Sequence, residues 1–195
     1  MNKLPKQFLT LLLLFFIQCK SPEKISVLQE KVSNRIIIRR PKDNKNRIIT
    51  IQFPNRIILS NGSISDKLDF LTIDYKYGDI PEERNLNLGL YIESNRKLKK
   101  ERNNKKKTIP PKSSLSYIIY SRHFVDSAKS IQQQFKPYVA KMLAENKDTL
   151  HVGTVTEFKK KHAALFEKLT KGDSISIQFL DSGKFGERVT VPVEW

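Results

Sequence analysis

Arg47-Ile48-Ile49-Thr50-Ile51-Gln52-Phe53-Pro54-Asn55-Arg56-Ile57-Ile58-Leu59 is the stretch that decides the fold class. β-Branched side chains crowd it; they lose χ1 freedom in a helix and fit a pleated sheet. Proline cannot donate to a ladder, so Pro54 predicts two strands, 47–53 and 56–59, separated by a bulge or an edge position. The same texture continues outward. Ile36-Ile37-Ile38 precedes the stretch across Pro41 and Asn44, and Asn61-Gly62 closes it with a turn signal. Leu68 to Tyr77 places Leu71, Ile73, Tyr75 and Tyr77 on one face, Leu86 to Ile92 alternates more cleanly, and Leu115 to Tyr120 resumes after Pro110-Pro111. Roughly six strands at regular spacing, with no helices between them, predict an antiparallel, immunoglobulin-like β-sandwich.

The last third changes period. A helix is expected from about Phe135, with Pro137 in its first turn. Thr154 and Glu157 form a capping-box pattern ahead of an apolar stripe, Phe158, Leu165, Phe166 and Leu169, which Gly172 terminates. Ser174 to Phe179 alternates strictly. After Asp181-Ser182-Gly183, Val189, Val191 and Val193 alternate again, so the chain should end in a β-hairpin. The reading is a mainly β (α+β) chain with one β-rich domain over 34–195, or two subdomains dividing near Arg122.

The amino-terminal segment has a different character. Lys3 and Lys6 precede an apolar run from Phe8 to Ile17, too short to span a bilayer and of the length of an export signal's core. Cys19, the only cysteine, stands just beyond it. Phe16-Ile17-Gln18-Cys19 resembles the lipobox of bacterial lipoprotein precursors, although Gln18 and Phe16 replace the usual small residue and leucine. The resemblance covers only this segment. It implies removal of residues 1–18, a diacylglycerol on the Cys19 sulfur, and commonly an acyl chain on the new amino terminus. Residues 19–33 then read as a polar tether with an amphipathic turn at Ile25, Leu28 and Val32. Lys20 stands where some inner-membrane lipoproteins carry a retaining Asp, so the resemblance favours the outer membrane of a cell envelope. An uncleaved anchor is the competing reading. With one cysteine, no intramolecular disulfide supports the fold.

The net charge of +16 at pH 7 is unevenly spread. Residues 35–47 carry +5 and residues 96–107 carry +7. The second segment holds Arg96, Lys97, Lys99, Lys100, Arg102, Lys105, Lys106 and Lys107 around Asn103-Asn104, and it reads as a solvated, flexible loop. No aromatic residue interleaves there, as single-stranded nucleic-acid binders require, so nucleic acid is not the expected partner. A tethered domain would instead hold this loop near anionic lipid or another acidic envelope polymer. A soluble hairpin tip that resists edge pairing explains the same residues.

Reactive constellations are sparse. Ser121, His123 and Asp126, with Ser127 beside them, raise a Ser-His-Asp hydrolase, yet no G-x-S-x-G elbow accompanies them. Asp126 equally fits a helix cap. His151 and His162 lack metal-ligand spacing, and the carboxylates from Asp66 to Glu83 lack calcium-loop order. Asn61-Gly62-Ser63 matches a glycosylation acceptor but reads as a turn. The glycines sit at turns and offer no phosphate-cradling loop, so no metal or cofactor is expected. The expectation is a non-catalytic envelope lipoprotein that binds a membrane surface or an envelope protein, with a hydrolase near Ser121, His123 and Asp126 as the alternative.

Overall fold

The computed structural model describes residues 25–43, 46–78, 88–95 and 97–195. The protein is mainly β with two antiparallel sheets. The larger, sheet A, runs β6 (Lys97–Lys100), β5 (Gly89–Ser94), β8 (Ser114–Phe124), β3 (Thr50–Asn61), β2 (Ile36–Arg39), β9 (Thr149–Val152), with β1 (Ile25–Glu30) also paired to β3. It is curled into a half-barrel. Sheet B runs β11 (Lys184–Pro192), β10 (Ser174–Asp181), β4 (Leu68–Lys76), β7 (Lys107–Ile109), and the expected carboxy-terminal hairpin is β10–β11.

The deciding stretch forms one strand, not two. β3 passes straight through Pro54, which lies opposite Tyr120 of β8. Its other edge is shared: β2 pairs with Thr50–Gln52 and β1 takes over at Arg56. Pro54, with no N–H to donate, therefore sits at a break in that edge, a local edge inside a central strand. Asn55 fills the break by donating to Gln29 Oε1 at 3.1 Å and to the Glu194 carbonyl at 3.5 Å.

The tether expected over 19–33 is corrected from Ile25 onward. Ile25 and Val27 pack on the core while Leu28 stays exposed, so the true period is that of a strand and not of a helical turn. Residues 19–24, with Cys19, lie outside the described residues.

Two apolar clusters sit on one side of sheet A. The first lies between the sheets, around Phe70, Tyr117, Ile73 and Ile177. The second packs β2, β3 and β9 against the helices, around Phe53, Phe135, Met142 and Phe166. Trp195 packs against both, and Arg122, at the suspected boundary, is inside β8 opposite Gln52. The helices are α1 (Lys129–Gln133), α2 (Lys136–Ala144), α3 (Val155–Lys161) and α4 (Ala163–Thr170). α2 begins after Phe135 with Pro137 in its first turn, and α3 carries the full capping box of Thr154 and Glu157. The single helix expected from Thr154 to Gly172 is instead broken at His162. Its ring is buried against Phe135 and Phe158, its Nδ1 lies 3.1 Å from Gln134 Oε1, and burial beside Lys161 pulls its pKa down.

Candidate functional site

The strand registers place several turns at one end of the molecule. Ile25 starts β1 opposite Asn61, where β3 ends; β8 begins opposite Ser60, β4 begins opposite Ile109, and β10 turns into β11 at Asp181–Lys184. Ile25, Lys67, Lys106 and Gly183 line one cleft there with the carboxylates Asp66, Asp69, Asp181 and Glu187, so the two sheets end together and the cleft itself is not basic. Two large apolar side chains project at this end, Ile64 with 82% and Phe185 with 76% of their surface exposed. Nothing in packing calls for them there. Lys67, Lys112 and Lys184 belong to the same turns.

The basic segment leads to this end and is not a flexible loop. Lys97–Lys100 is the outermost strand of sheet A, closed back on β5 with Ser94 opposite Lys97 and with Asn95 at φ 51°, the left-handed region a tight hairpin needs. Since β5 runs antiparallel to β8, its tip points toward the end where β8 begins. Arg96 lies outside the described residues. Lys97, Lys99, Lys100, Arg102 and Lys105 are exposed, and among the described residues none of their side chains has an ion-pair or hydrogen-bond partner. The chain then crosses to sheet B through a fixed turn. Asn103 donates to the Ile73 carbonyl at 2.7 Å and accepts from the Ile73 N–H at 2.9 Å, mimicking a paired strand ahead of the start of β7.

Lys106 and Lys107 depart from the expected anionic-surface role. Lys106 pairs with Asp69 at 3.4 Å. Lys107 is buried, its ammonium donating to the carbonyls of Leu71, Asn103 and Lys105 at 2.8–3.3 Å and lying over the Phe70 ring. Burial pulls its pKa below the ordinary lysine value, with Glu101 opposing. A buried ammonium surrounded by carbonyls staples the turn and is withdrawn from any external partner.

The serine–histidine idea finds a real contact with a different acid. Ser121 Oγ lies 2.9 Å from His123 Nε2, whereas Asp126 is exposed and accepts from the Ala128 N–H at the start of α1. The buried acid is Asp173, in the turn between α4 and β10. Its Oδ2 is 3.8 Å from His123 Nε2 and accepts from the Tyr75 hydroxyl at 2.7 Å. Gly78 and Gly172, both at positive φ, approach closely beside it, which lets the turn reach β4. His123 Nδ1 is 2.9 Å from the Leu169 carbonyl, which only accepts, so Nδ1 carries the proton and Nε2 receives Ser121. Serine and aspartate thus approach the same ring nitrogen, while a triad places them on opposite ones. Ser121, His123 and Asp173 are 0%, 2% and 4% exposed. Burial lowers the His123 pKa to about 4, keeping the ring neutral, and burial raises Asp173 to about 7 against the pull of Tyr75 and Gly78.

The other sequence candidates disperse. His151 is exposed on β9, and Asn61 is buried, its amide donating to the carbonyls of Asp66, Ile109 and Pro110, out of reach of any modifying enzyme. Among the described residues no three His, Cys, Asp or Glu side chains group as a metal site. No described helix is long and apolar enough to cross a membrane. Asp173 and Tyr75, 98 residues apart, carry no sequence signal of their pairing. Comparison of the chain with known protein families and with curated proteins returns no match.

Proposed function

We propose that this is an envelope lipoprotein, anchored through Cys19, whose β domain is a non-catalytic module that rests against an anionic membrane surface. The observation that carries the reading is the gathering, at the end where Ile25 begins β1, of exposed Ile64 and Phe185, the lysines of the turns, and the unpaired cations of the β5–β6 hairpin. Five residues, 20–24, separate Cys19 from β1, and fully extended they span at most about 20 Å. A lipid on Cys19 therefore holds this end, and no other, at the bilayer. Apolar side chains at the headgroup boundary and lysines above it are the arrangement an anionic interface attracts. We assign the envelope location, with the outer membrane preferred, on the signal segment alone.

Membrane fractionation tests the anchor: Cys19→Ser should abolish lipid labelling and change signal processing, and unchanged processing and labelling would refute it. A stoichiometric partner recovered from solubilised envelope would add a protein ligand to the lipid one. The 2.9 Å contact of Ser121 with His123 favours a second reading, an envelope hydrolase. Against it stand the burial of both residues and the shared ring nitrogen. Fluorophosphonate labelling lost in Ser121→Ala would establish that reading, and no labelling would remove it. We also read the two layers, which share the core around Phe70 and Tyr117, as an immunoglobulin-like sandwich whose larger sheet has curled.

A further inference from the structure

Arg40 is 7% exposed, yet its guanidinium has no carboxylate partner among the described residues. Its backbone N–H bonds the Asp148 carbonyl at 3.0 Å, and its Nε donates to the Lys147 carbonyl at 2.9 Å. That carbonyl is presented by the end of α2: Asn146, at φ 49°, donates to Leu143 and the Lys147 N–H donates to Met142, a Schellman closure. Both terminal nitrogens remain without a partner, and Nη1 is fully covered. A buried cation with uncommitted donors is costly unless an anion completes it.

The surroundings supply room for one. An open cleft of about 800 Å³ is bounded by Arg40 with Arg35, Lys42, Lys141 and Lys147, against only two carboxylates, Glu145 and Asp148. Glu145 is shared by Lys147 at 2.7 Å and Lys141 at 3.9 Å, so one carboxylate serves two lysines and the positive excess is spread over them with Arg35, Arg40 and Lys42. We propose that this cleft binds the phosphate group of a small soluble phosphate ester. Nε is held by the Lys147 carbonyl and Nη1 is covered, so Nη2 is the nitrogen that can donate to a phosphate oxygen, and a tetrahedral dianion offers its remaining oxygens to Arg35 and the lysines, which a planar carboxylate does not. The position selects the source. Arg40 follows Arg39, which pairs with Thr50 at the start of β3, whereas the tether begins opposite Asn61 at the other end of that strand. The cleft faces away from the anchoring bilayer. The choice of a soluble source rests on the proposed anchoring of the Ile25 end, whereas the phosphate site itself does not.

Isothermal titration of the full chain in mild detergent with inorganic phosphate and with glycerol 3-phosphate tests the site. One saturable site is expected, with the ester at least as tight as phosphate and acetate inactive. Affinity should fall about tenfold or more in Arg40→Gln and in Lys42→Gln/Lys141→Gln. The second variant alters exposed side chains only, so it keeps the fold even if Arg40→Gln loosens it. Lys97→Gln/Lys99→Gln/Lys100→Gln should leave phosphate binding unchanged. Absence of saturable binding, or equal affinity in the Lys42/Lys141 variant, overturns the proposal. Arg40-dependent binding to phosphatidylglycerol vesicles without binding of either soluble phosphate would overturn the soluble-ester assignment.

Discussion

Replacing Asp173 by asparagine should make the protein more stable than wild type as pH rises, although it removes a buried side chain that is hydrogen-bonded. Asparagine keeps an oxygen for the Tyr75 hydroxyl, now 2.7 Å from Asp173 Oδ2, and cannot ionise. In the unfolded chain the carboxyl ionises near 3.8, while burial in the fold holds its proton to about 7. Because the folded value is the higher one, the stabilising contribution is complete below pH 3.8 and is lost as pH rises through 7. Each pH unit in that window is worth about 1.4 kcal/mol, so wild type should lose about 1–3 kcal/mol relative to Asp173→Asn between pH 5 and pH 8. His123, with a folded pKa of about 4, is neutral in the fold throughout this range, and its unfolded titration is common to both chains. Urea unfolding followed by the fluorescence of Trp195, the only tryptophan, reads the difference; its ring lies 5.7 Å from both Phe53 and Phe166. The two midpoints should separate by about 0.5–1.5 M more at pH 8 than at pH 5. A separation that does not change with pH, or that shrinks, would refute the buried-acid reasoning.

His123 supplies the opposite slope: with its pKa lowered from 6.5 to about 4, stability is lost as pH falls from 6.5 toward 4, and His123→Gln should flatten that loss in the same urea assay. Lys107→Met strips the donor from three carbonyls and should cost about 1–3 kcal/mol, while Lys105→Gln, at an exposed position, should leave the unfolding midpoint unchanged. Asn55→Ala opens the break between β1 and β2 and should cost about 1–2 kcal/mol, with faster amide exchange in β1 than in β8. Thr154→Ala removes one arm of the capping box and should cost about 1 kcal/mol by thermal unfolding.

What the sequence revealed was set by the range of the interactions involved. The alternation of Ser174–Phe179 and the pairing of Thr154 with Glu157 are local, and both appear in the fold as expected. Pro54 misleads because its tolerance depends on two other strands, on β1 ending at Glu30 and β2 beginning at Ile36. A chain read one residue at a time does not contain that information. β1 was hidden because Ile25, Leu28 and Val32 also fit a helical turn, and only its pairing with β3 selects the strand period. Lys107 looks like its basic neighbours in sequence, yet the turn held by Asn103 aims it inward. At the Ser121–His123 contact the two partners were legible as neighbours on one strand face. The acid was not, since Asp173 comes from a turn that reaches them only through the packing of α4 and β10. Arg40, within a run of arginines and lysines, showed no sign that it alone would be buried.

The central claim is that the Ile25 end of the domain docks on an anionic bilayer, and vesicle co-sedimentation tests it most directly. The full chain carrying Cys19→Ser is compared with the same chain carrying Lys97→Gln, Lys99→Gln and Lys100→Gln, on phosphatidylglycerol vesicles and on neutral phosphatidylcholine vesicles. Each lysine near an anionic surface contributes about 1 kcal/mol, so the triple substitution should weaken binding to phosphatidylglycerol about a hundredfold at low salt. Binding to phosphatidylcholine should not change, and added salt should erase the difference between the two chains. Equal binding of both chains to phosphatidylglycerol, or binding indifferent to salt, would contradict the account.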